Sequence, residues 1–592
     1  MTHTGQNCFP TMRTGTGGAG ALARETQMIF KALKLILLSR ARRPRPQMRW
    51  MVLVLGAVCH VTAVMADPVL DFVYPAGGQP GSEFEVEVGG GSLEGATLAT
   101  VSGGGVTATF ISPVKTVTKN KNGKPVPANV PGRLRFKVVI AKDAAPGMRA
   151  LRVSTAYCLS EPVGFEVLPM PEQSEPTTNR AAVAVHDVMG MPVCLNGRVH
   201  GAQGDLYRFQ GTKGMTVVAF TEGKALPPGA FLPALAFTDA DGKPCDGMTV
   251  HETANAPVAV FEVPQDGTYA LMVKAASGAV GDACVYRVKL GELPLVTAFS
   301  PSGAQEGENL NVRLEGVNLP QKRMRLFTGG KNSALCLQTL TEGAYALPSL
   351  RFDLAAEMAA PDFKVTMTPS SLNIPADGSA LVTLRVQRLN GFEGEVRVGL
   401  DFPPLSIASE GGVIPAGETT CMMTVSTDGV RFPRVVFGLA FTAVAEIGGQ
   451  TVKRAVAPVR YYERSGEEKV QAFNDLSARS NPGLRALRLG VPPKGTVSVS
   501  AKQPTSLTLL SPTLSAQLGG EYEPVVIYPV RGFSVQCAQR TNKQERVSVL
   551  LQAEPDVLRT GATGRIILGC IQKDDPKREP VAVTQSVPFV VK

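Results

Sequence analysis

Short runs of alternating hydrophobic and polar residues recur along most of this chain, separated by turns rich in glycine and proline. Residues 83–88 (Glu-Phe-Glu-Val-Glu-Val) and 133–138 (Arg-Leu-Arg-Phe-Lys-Val) alternate at every position, as expected of strands that bury one face. Asn122-Gly123 predicts a hairpin turn between two such strands, because both central positions of a type I′ turn need positive φ. The pattern predicts an all-β protein.

The length of 592 residues is too great for one hydrophobic core and predicts roughly four or five domains of about 100 residues. Internal repeats indicate where the domains lie. One set of residues recurs 226 positions later: Pro75, Gly77, Gln79, Gly81, Val86, Gly90 and Leu93 match Pro301, Gly303, Gln305, Gly307, Val312, Gly316 and Leu319. A second pair matches Pro369 to Phe392 with Pro512 to Phe533, and the turn Ile414 to Gly417 with Leu558 to Gly561.

These repeats predict a string of β-sandwiches. Its parts are a leader at 1–66, an immunoglobulin-like (Ig-like) sandwich at 67–168, a distinct middle sandwich at 169–292, a shorter copy of the first at 293–360, an Ig-like sandwich at 361–463, a linker with a short helix at 464–482 and a C-terminal Ig-like sandwich at 483–592. The helix is expected within Glu467 to Arg479, ahead of Asn481-Pro482. We expect the linkers at 169–176 and 464–482 to keep contacts between neighbours modest, and proteases to cut the second linker first.

The leader has the order of a secretory signal peptide. Several arginines precede an apolar run from Met51 to Met65, and Ala66 offers a small residue at a cleavage site before Asp67. A membrane anchor is the alternative, although the run is short and His60 interrupts it. Met48 fits the start of such a peptide better than Met1 does. We expect an exported protein, periplasmic or extracellular, with no transmembrane segment in the mature chain.

The positive net charge belongs to the leader. Of 60 basic and 50 acidic residues, nine basic and one acidic residue lie within 1–66, which leaves 51 and 49 for the rest of the chain. A chain so balanced has no overall electrostatic footprint for nucleic acid. Lys115, Lys119, Lys121 and Lys124 surround the predicted turn, and we interpret them as a solvated hairpin tip, with contact to a polyanion as the sharper alternative.

Eight cysteines follow Ala66, and an exported protein can form disulfides. The spacing suggests a disulfide between Cys537 and Cys570, while Cys194, Cys245 and Cys284 could supply one pair. Cys158, Cys336 and Cys421 are expected as buried thiols. No Cys-x-x-Cys motif occurs, so the usual zinc and thioredoxin-like sites are not predicted.

Two stretches resemble known families. The opening Pro75-x-Gly77-x-x-x-Gly81 with the strand at 145–153 (Ala-Pro-Gly-Met-Arg-Ala-Leu-Arg-Val) is similar to IPT/TIG Ig-like domains, at 67–168 and again at 294–360. Residues 169–292 resemble the pre-peptidase C-terminal (PPC) β-sandwich in Glu175-Pro176, 196–199, 205–209, Lys213-Gly214, 239–242 and 264–271. The turn at 391–394 (Gly-Phe-Glu-Gly) resembles Ig-like repeats of large bacterial surface proteins.

The PPC resemblance implies a secreted accessory module, and some such modules bind calcium through a Glu-Pro-Asn segment. Thr177 stands here in place of that asparagine. We otherwise expect no cofactor, no metal site and no catalytic residues. His251-Glu252 lacks the second histidine of a zinc-protease motif, since Asn255 stands there. Val250 replaces the glutamate that would end a calcium loop beginning at Asp239, so a hairpin turn is expected.

Three functions remain open from the sequence. The first is a non-catalytic interaction or structural protein of the bacterial cell envelope or surface, in adhesion or assembly. The second is a carbohydrate- or matrix-binding accessory to a separately encoded hydrolase, which the absence of tryptophan after Trp50 does not favour. The third is an enzyme with an unrecognised site. An envelope protein or an extracellular polysaccharide or matrix would be the partner.

Overall fold

The computed structural model describes most of the chain after residue 66. The residues described are 67–119, 125–155, 158–175, 184–221, 233–252, 257–301, 303–305, 309–327, 341–342, 345–346, 355–357, 361–404, 406–427, 436–464, 467–473, 476–481, 484–490, 495–511, 514, 521–540 and 546–592. The predicted leader at 1–66 lies outside them. In the described part every regular element is a strand, which confirms the predicted all-β class.

The first sandwich is one eight-stranded sheet. In spatial order its strands are Val69–Tyr74, Glu83–Gly91, Pro125–Ile140, Val106–Lys119, Leu98–Val101, Gly147–Ser154, Val163–Val167 and Gly77–Gly78. The two strands of the hairpin expected around Asn122 are present, and they pair up to Lys119 and Pro125. Its turn falls outside the described residues.

The middle sandwich packs two sheets against each other. One contains, in spatial order, Met248–Glu252, Pro257–Glu262, Thr216–Phe220, Val285–Gly291, Val193–Arg198 and Glu172–Ser174, and the other contains Ala184–Asp187, Asp205–Gly211, Gly267–Ala275 and Pro233–Asp239. The proline-rich segment at 169–176 is therefore not a free linker. Its Glu172–Ser174 strand pairs in parallel with Val193–Arg198.

The repeat of 226 residues is confirmed in strand pairing. Leu70 pairs with Gly90 just before a register shift, and Val296 pairs with Gly316 at the corresponding shift. Glycine is needed at both positions, because a Cβ on either would lie 1.9 Å from a carbonyl oxygen of the facing strand. The strands of the second copy are Leu295–Ser300, Gly303–Gln305, Asn309–Val317, Arg323–Phe327, Thr341–Glu342, Tyr345–Ala346 and Ala355–Glu357.

The next sandwich runs to Asn481 and includes the segment predicted as a linker. Its strands are Asp362–Thr368, Ser371–Pro375, Ser379–Leu389, Val396–Asp401, Ile407–Glu410, Val413–Ile414, Thr420–Thr427, Val436–Ile447, Gln450–Arg464, Glu467–Ala472 and Leu476–Asn481. The prediction of a helix between Glu467 and Arg479 is wrong. Glu467–Ala472 pairs with the end of Gln450–Arg464, and Leu476–Asn481 pairs in parallel with Ser371–Pro375.

The C-terminal sandwich has related strand pairing. Its strands are Arg488–Leu489, Val497–Val499, Thr505–Leu510, Tyr522–Tyr528, Phe533–Arg540, Arg546–Ala553, Thr563–Gln572, Pro580–Val583 and Val587–Val591. Val497–Val499 pairs in parallel with the last strand, as Ser371–Pro375 does with Leu476–Asn481. Ser379 pairs with Val583, and this single residue pair joins the sheets of the two sandwiches.

The residue matching predicted for these two sandwiches is wrong by one turn. Val396–Asp401 and Tyr522–Tyr528 are equivalent, because each pairs with the long strand that follows later in its sandwich. Gly391 precedes the first of these strands, whereas Gly532 follows the second. Similar turn sequences thus occur at non-equivalent turns.

The hydrophobic core does not stop at the first domain boundary. One cluster of buried side chains runs from Leu70 in the first sandwich to Leu290 in the middle one. The sandwich at 361–481 and the C-terminal sandwich have clusters of their own, from Phe363 to Ala478 and from Leu487 to Val591. Contact between the first and middle sandwiches is therefore more extensive than the sequence predicted, whereas the last two sandwiches keep separate cores. In the described residues no helix is long and apolar enough to cross a membrane.

Candidate functional site: the buried junctions between sandwiches

Two of the three histidines that follow residue 66 have described side chains, and these two have different partners. His186 stacks on Tyr207 with ring centroids 5.1 Å apart, and its Nε2 lies 3.9 Å from a carboxylate oxygen of Glu175. His200 lies 3.9 Å from Asp282. His251 belongs to the strand Met248–Glu252, whereas a zinc-protease motif would place it on a helix. Within the described residues, no three His, Cys, Asp or Glu side chains are grouped to hold a metal ion.

The segment that resembles the start of a calcium loop is a turn. The Asp239 carboxylate accepts hydrogen bonds from the backbone N–H groups of Asp241 and Lys243, at 3.0 and 2.9 Å. Asp239 thus caps its own turn, as expected for an aspartate in this position. The predicted hairpin turn is confirmed here.

One group of buried polar residues lies where the first sandwich meets the middle one. Tyr74 ends the first strand of the chain, and its hydroxyl donates to the carbonyl oxygens of Glu175 and Asn196, at 2.9 and 3.2 Å. The Arg198 guanidinium lies over the Tyr74 ring, 4.2 Å from its centroid. We call this group of residues the Tyr74 junction. It joins strands that are more than 100 residues apart in sequence.

Two buried carboxyl groups of the Tyr74 junction have unusual pKa values. Burial, and then the neighbouring Asp205, raise the pKa of Glu175 to about 8, although the Arg198 N–H donates to its carboxylate at 2.7 Å. Burial raises the pKa of Asp205 to about 6, against a hydrogen bond of 2.6 Å from the Tyr286 hydroxyl. Glu175 is therefore mostly protonated at neutral pH, in a pocket with little water to solvate its charge.

A second group, the Arg287 junction, pairs charges in the same interface. Arg287 contacts Glu166 of the first sandwich at 3.1 Å and Glu172 at 2.8 Å, and Lys289 contacts Glu166 at 2.9 Å. Arg287 and Lys289 are only 3% and 5% exposed. Burial alone would raise the pKa of Glu166, but Lys289 and Arg287 hold it below its ordinary value. The Glu166 carboxylate is thus ionised and forms ion pairs with both Arg287 and Lys289.

Gly77 makes room for the Arg287 junction. A Cβ at this position would lie 2.2 Å from the Glu166 carbonyl oxygen and 2.7 Å from Cζ of Arg287. Gly77 is one of the glycines that recur in the repeat of 226 residues, where it matches Gly303. Its close approach to Arg287 is a second requirement that the repeat pattern does not reveal.

The Arg152 junction connects the first sandwich to the one at 361–481. Arg152, 1% exposed, donates to the Ser371 hydroxyl at 2.8 Å and to the Ser370 carbonyl at 3.0 Å. The side chain of Asn373 both accepts from the N–H of Leu159 and donates to its carbonyl, at 2.8 and 2.9 Å. The Asn373 side chain thus forms with Leu159 the two hydrogen bonds that the backbone of a paired strand residue would form.

Arg479 extends this contact from the segment predicted as a linker. It is 6% exposed and donates to the hydroxyl of Ser154 and to the carbonyl of Thr155, the latter at 2.7 Å. Asn481 lies against the thiol of Cys158, 3.1 Å from its sulfur. Arg479 and Asn481, which the sequence placed in a linker, are therefore part of a buried interface.

The disulfides suggested by the sequence are absent from the described cysteines. Cys537 and Cys570 form no disulfide, and neither do Cys194, Cys245 and Cys284. Cys570 lies on Thr563–Gln572 and Cys537 on Phe533–Arg540, which belong to different sheets. Spacing along the chain does not say whether two strands face each other closely enough for a bond. Cys158 and Cys421 are buried thiols as predicted, and Cys336 lies outside the described residues.

Few of the junction residues could be predicted from the sequence. Glu175 and Asn196 were noted for their resemblance to PPC segments, and Arg152 for a resemblance to an IPT/TIG strand. The buried contacts of Arg287, Lys289 and Arg479 were not predicted. An arginine inside an otherwise apolar strand, as in Leu151-Arg152-Val153, is the pattern that could have indicated a buried charge.

Fold and junctions define an all-β protein of several sandwiches held together by buried polar contacts. No family model matches the chain, and no curated protein matches it. Among solved structures, domains 5–6 of the S-layer protein SbsC align with 12% identity over 39% of this chain and 99% of that one, with a TM-score of 0.17. The D0–D1 domain of intimin aligns with 12% identity over 39% and 97%, with a TM-score of 0.14.

The fibronectin(III)-like modules of Clostridium thermocellum CbhA also align, with 12% identity over 38% of this chain and 94% of theirs, and a TM-score of 0.12. TM-scores this low do not establish a shared family or function. The functional argument therefore rests on the chain's own residues.

Proposed function

We propose that this protein is an exported, non-catalytic structural or interaction protein of the bacterial cell envelope or surface. Its sandwiches would present binding or assembly surfaces in a fixed relative arrangement. The observation that carries the proposal is the Arg287 junction, in which Arg287 and Lys289 of one sandwich neutralise Glu166 of its neighbour inside the protein.

Buried ion pairs are a costly way to gain stability, because both charges lose their hydration. An apolar interface would hold the sandwiches together as well, but it would tolerate sliding. Charged groups that must meet within hydrogen-bond distance allow one register only. A fixed arrangement of neighbouring domains is useful to a scaffold, and for this chain we propose it as the reason for the charges.

The buried titratable groups also suit a structural role better than catalysis. An enzyme would present its perturbed acids and bases to a substrate in an open cleft. Here Glu175 and Asp205 are 6% and 3% exposed and lie within a domain interface. Each accepts a hydrogen bond from a protein group, and neither is presented to solvent.

The proposal is tested by expressing the full chain in a Gram-negative host and separating cytoplasm, periplasm, membranes and medium. We expect the protein outside the cytoplasm, with an N-terminus at or close to Asp67, and chemical cross-linking of intact cells should join it to envelope proteins. A chain retained in the cytoplasm with residues 49–66 intact would refute it. Enrichment on insoluble polysaccharide with no envelope partner would favour the accessory role.

A further inference from the structure

A cavity of about 310 Å³ lies where the first sandwich, the sandwich at 361–481 and the C-terminal sandwich meet. The Arg152 junction forms one side of it, because Ser371 and Asn373 belong to both. Most of the remaining wall is apolar, and all three sandwiches contribute to it, through Leu159, Leu372, Pro375, Leu484 and Val583. This volume equals that of about ten water molecules in the liquid, so the cavity suits a ligand with about ten non-hydrogen atoms.

Two side chains of opposite charge line this cavity, and they come from different sandwiches. Glu161 belongs to the first sandwich, and Arg460 lies in the strand Gln450–Arg464. Nη1 of Arg460 donates to the carbonyl oxygen of Pro162 at 3.3 Å, and within the described part of the chain this is the only hydrogen bond of the guanidinium. A guanidinium has five N–H donors, so most of those of Arg460 are available to a ligand.

Glu161 accepts hydrogen bonds but has no cation in direct contact. One carboxylate oxygen accepts from the hydroxyl of Ser370, and the other accepts from the N–H of Ser371 at 3.0 Å. Among the residues that the structure describes, Glu161 forms no ion pair with Arg460 or with another cation. Burial raises the pKa of Glu161 against the Ser370 hydrogen bond and Arg460, and burial lowers the pKa of Arg460 against Glu161. The two charges therefore line one cavity without direct contact.

These groups define the chemistry of a ligand. Charges in an apolar cavity lose hydration, which costs free energy unless each charge finds a partner. The exposed Asp67 also lines the cavity, so an anion would meet two acids and a cation would leave Arg460 unpaired. None of the described lining residues is aromatic, so a sugar ring has no flat side chain on which to stack. A small molecule with both charges and an apolar side chain meets these requirements.

We propose that this cavity binds an α-amino acid with an apolar side chain. The carboxylate of the ligand accepts two hydrogen bonds from the Arg460 guanidinium, in the bidentate geometry that arginine favours. The ammonium group donates to Glu161, because a carboxylate that accepts from Ser370 and Ser371 still has lone pairs to offer. The apolar wall buries the side chain of the ligand.

The ligand contacts all three sandwiches in this arrangement. Because it binds only where they meet, it stabilises their relative positions by mass action. The site thus goes beyond the proposed structural role and does not depend on export.

The test is isothermal titration calorimetry of the purified full chain with L-leucine. Two analogues each lack one charge, since isocaproate has no ammonium group and isoamylamine has no carboxylate. We expect L-leucine to bind, and each analogue to bind about tenfold more weakly or worse, because one charged partner is lost. L-Leucine should also raise the unfolding temperature. Absence of L-leucine binding, or equal affinity for isocaproate, would overturn the proposal.

Two variants show whether L-leucine binds in this cavity. Arg460→Gln removes the guanidinium, and Ala380→Leu fills part of the cavity while both charges stay. We expect each variant to weaken L-leucine binding by about tenfold or more. Arg397→Gln is the matched control, because it removes an exposed arginine of the same sandwich that pairs with Glu395, and it should bind as the unaltered chain does.

Unchanged affinity in Arg460→Gln and Ala380→Leu, or an equal loss in Arg397→Gln, would contradict binding at this site. Circular dichroism shows whether each variant folds. If Arg460→Gln does not fold, Ala380→Leu decides the outcome. None of these results bears on export, which the fractionation experiment tests separately.

Discussion

The hydroxyl of Tyr74 donates a hydrogen bond to the carbonyl oxygen of Glu175, 2.9 Å away, across the boundary between the first two sandwiches. Tyr74 comes from the first strand of the chain, whereas Glu175 follows the edge strand of the next domain. The two residues are 101 positions apart. This bond brings a buried tyrosine of one sandwich into the polar center of its neighbour.

Removal of that hydroxyl tests the Tyr74 junction. Tyr74→Phe keeps the ring against Arg198 but leaves the Glu175 and Asn196 carbonyls without this donor. We expect the free energy of unfolding to decrease by about 1–3 kcal/mol, measured by chemical denaturation. Tyr269→Phe is the control, since its hydroxyl contacts Gln265 within one sandwich. A loss of stability no larger than experimental error in Tyr74→Phe would contradict an organising role for the junction.

The raised pKa of Glu175 makes stability depend on pH in a defined direction. Its ordinary value of 4.5 applies to the unfolded chain, and in the folded protein it is raised to about 8. A carboxyl whose pKa is raised by folding contributes most below its unfolded pKa, and that contribution is lost as pH increases through the folded pKa. Asp205, raised to about 6, acts in the same direction.

We therefore expect the unfolding temperature to fall between about pH 5 and pH 8 by more in the unaltered protein than in Glu175→Gln. The glutamine is neutral at every pH and resembles the protonated carboxyl. Glu83→Gln is the control, because it replaces a carboxyl group whose pair with Lys137 lies at an exposed position. Identical profiles for the unaltered protein and Glu175→Gln would show that Glu175 does not titrate in this range.

Loss of a buried cation should cost far more than loss of an exposed one. Arg287→Ala leaves Glu172 without its bidentate partner and Glu166 with Lys289 alone, and we expect a loss of about 3–5 kcal/mol. Arg208→Ala breaks an exposed pair with Asp187 at 2.9 Å and should cost about 1 kcal/mol or less. Urea denaturation of both variants measures the difference. Equal effects would mean that the buried network adds nothing specific.

Limited proteolysis distinguishes an integrated strand from a linker at 464–482. Arg479 is 6% exposed and lies in the paired strand Leu476–Asn481, so trypsin should not cut after it while the protein is folded. Arg531, exposed in a turn of the C-terminal sandwich, should be cut earlier. Mass spectrometry of the first fragments gives the order. Early cleavage after Arg479 would support a mobile linker instead.

Local features of the chain were predictable because they depend on near neighbours in sequence. Alternation in residues 83–88 and 133–138 predicts strands, and these strands pair with each other in the structure. Gly90 and Gly316 recur with the same spacing because each allows a carbonyl of the facing strand to approach. These requirements are the same in any chain that uses the motif, so the sequence alone determines them.

Tertiary contacts determine the secondary structure of segments whose local preference for helix or strand is weak. Residues 467–479 contain good helix formers, but available partners in Gln450–Arg464 and Ser371–Pro375 make strands the better solution. The junctions are also tertiary. Whether Arg287 meets Glu166, 121 residues away, depends on which faces of two sandwiches come together. Burial and charge pairing act between such distant residues only after folding has placed them. A local pattern can therefore indicate a buried charge, as at Arg152, but it does not identify the residue that pairs with it.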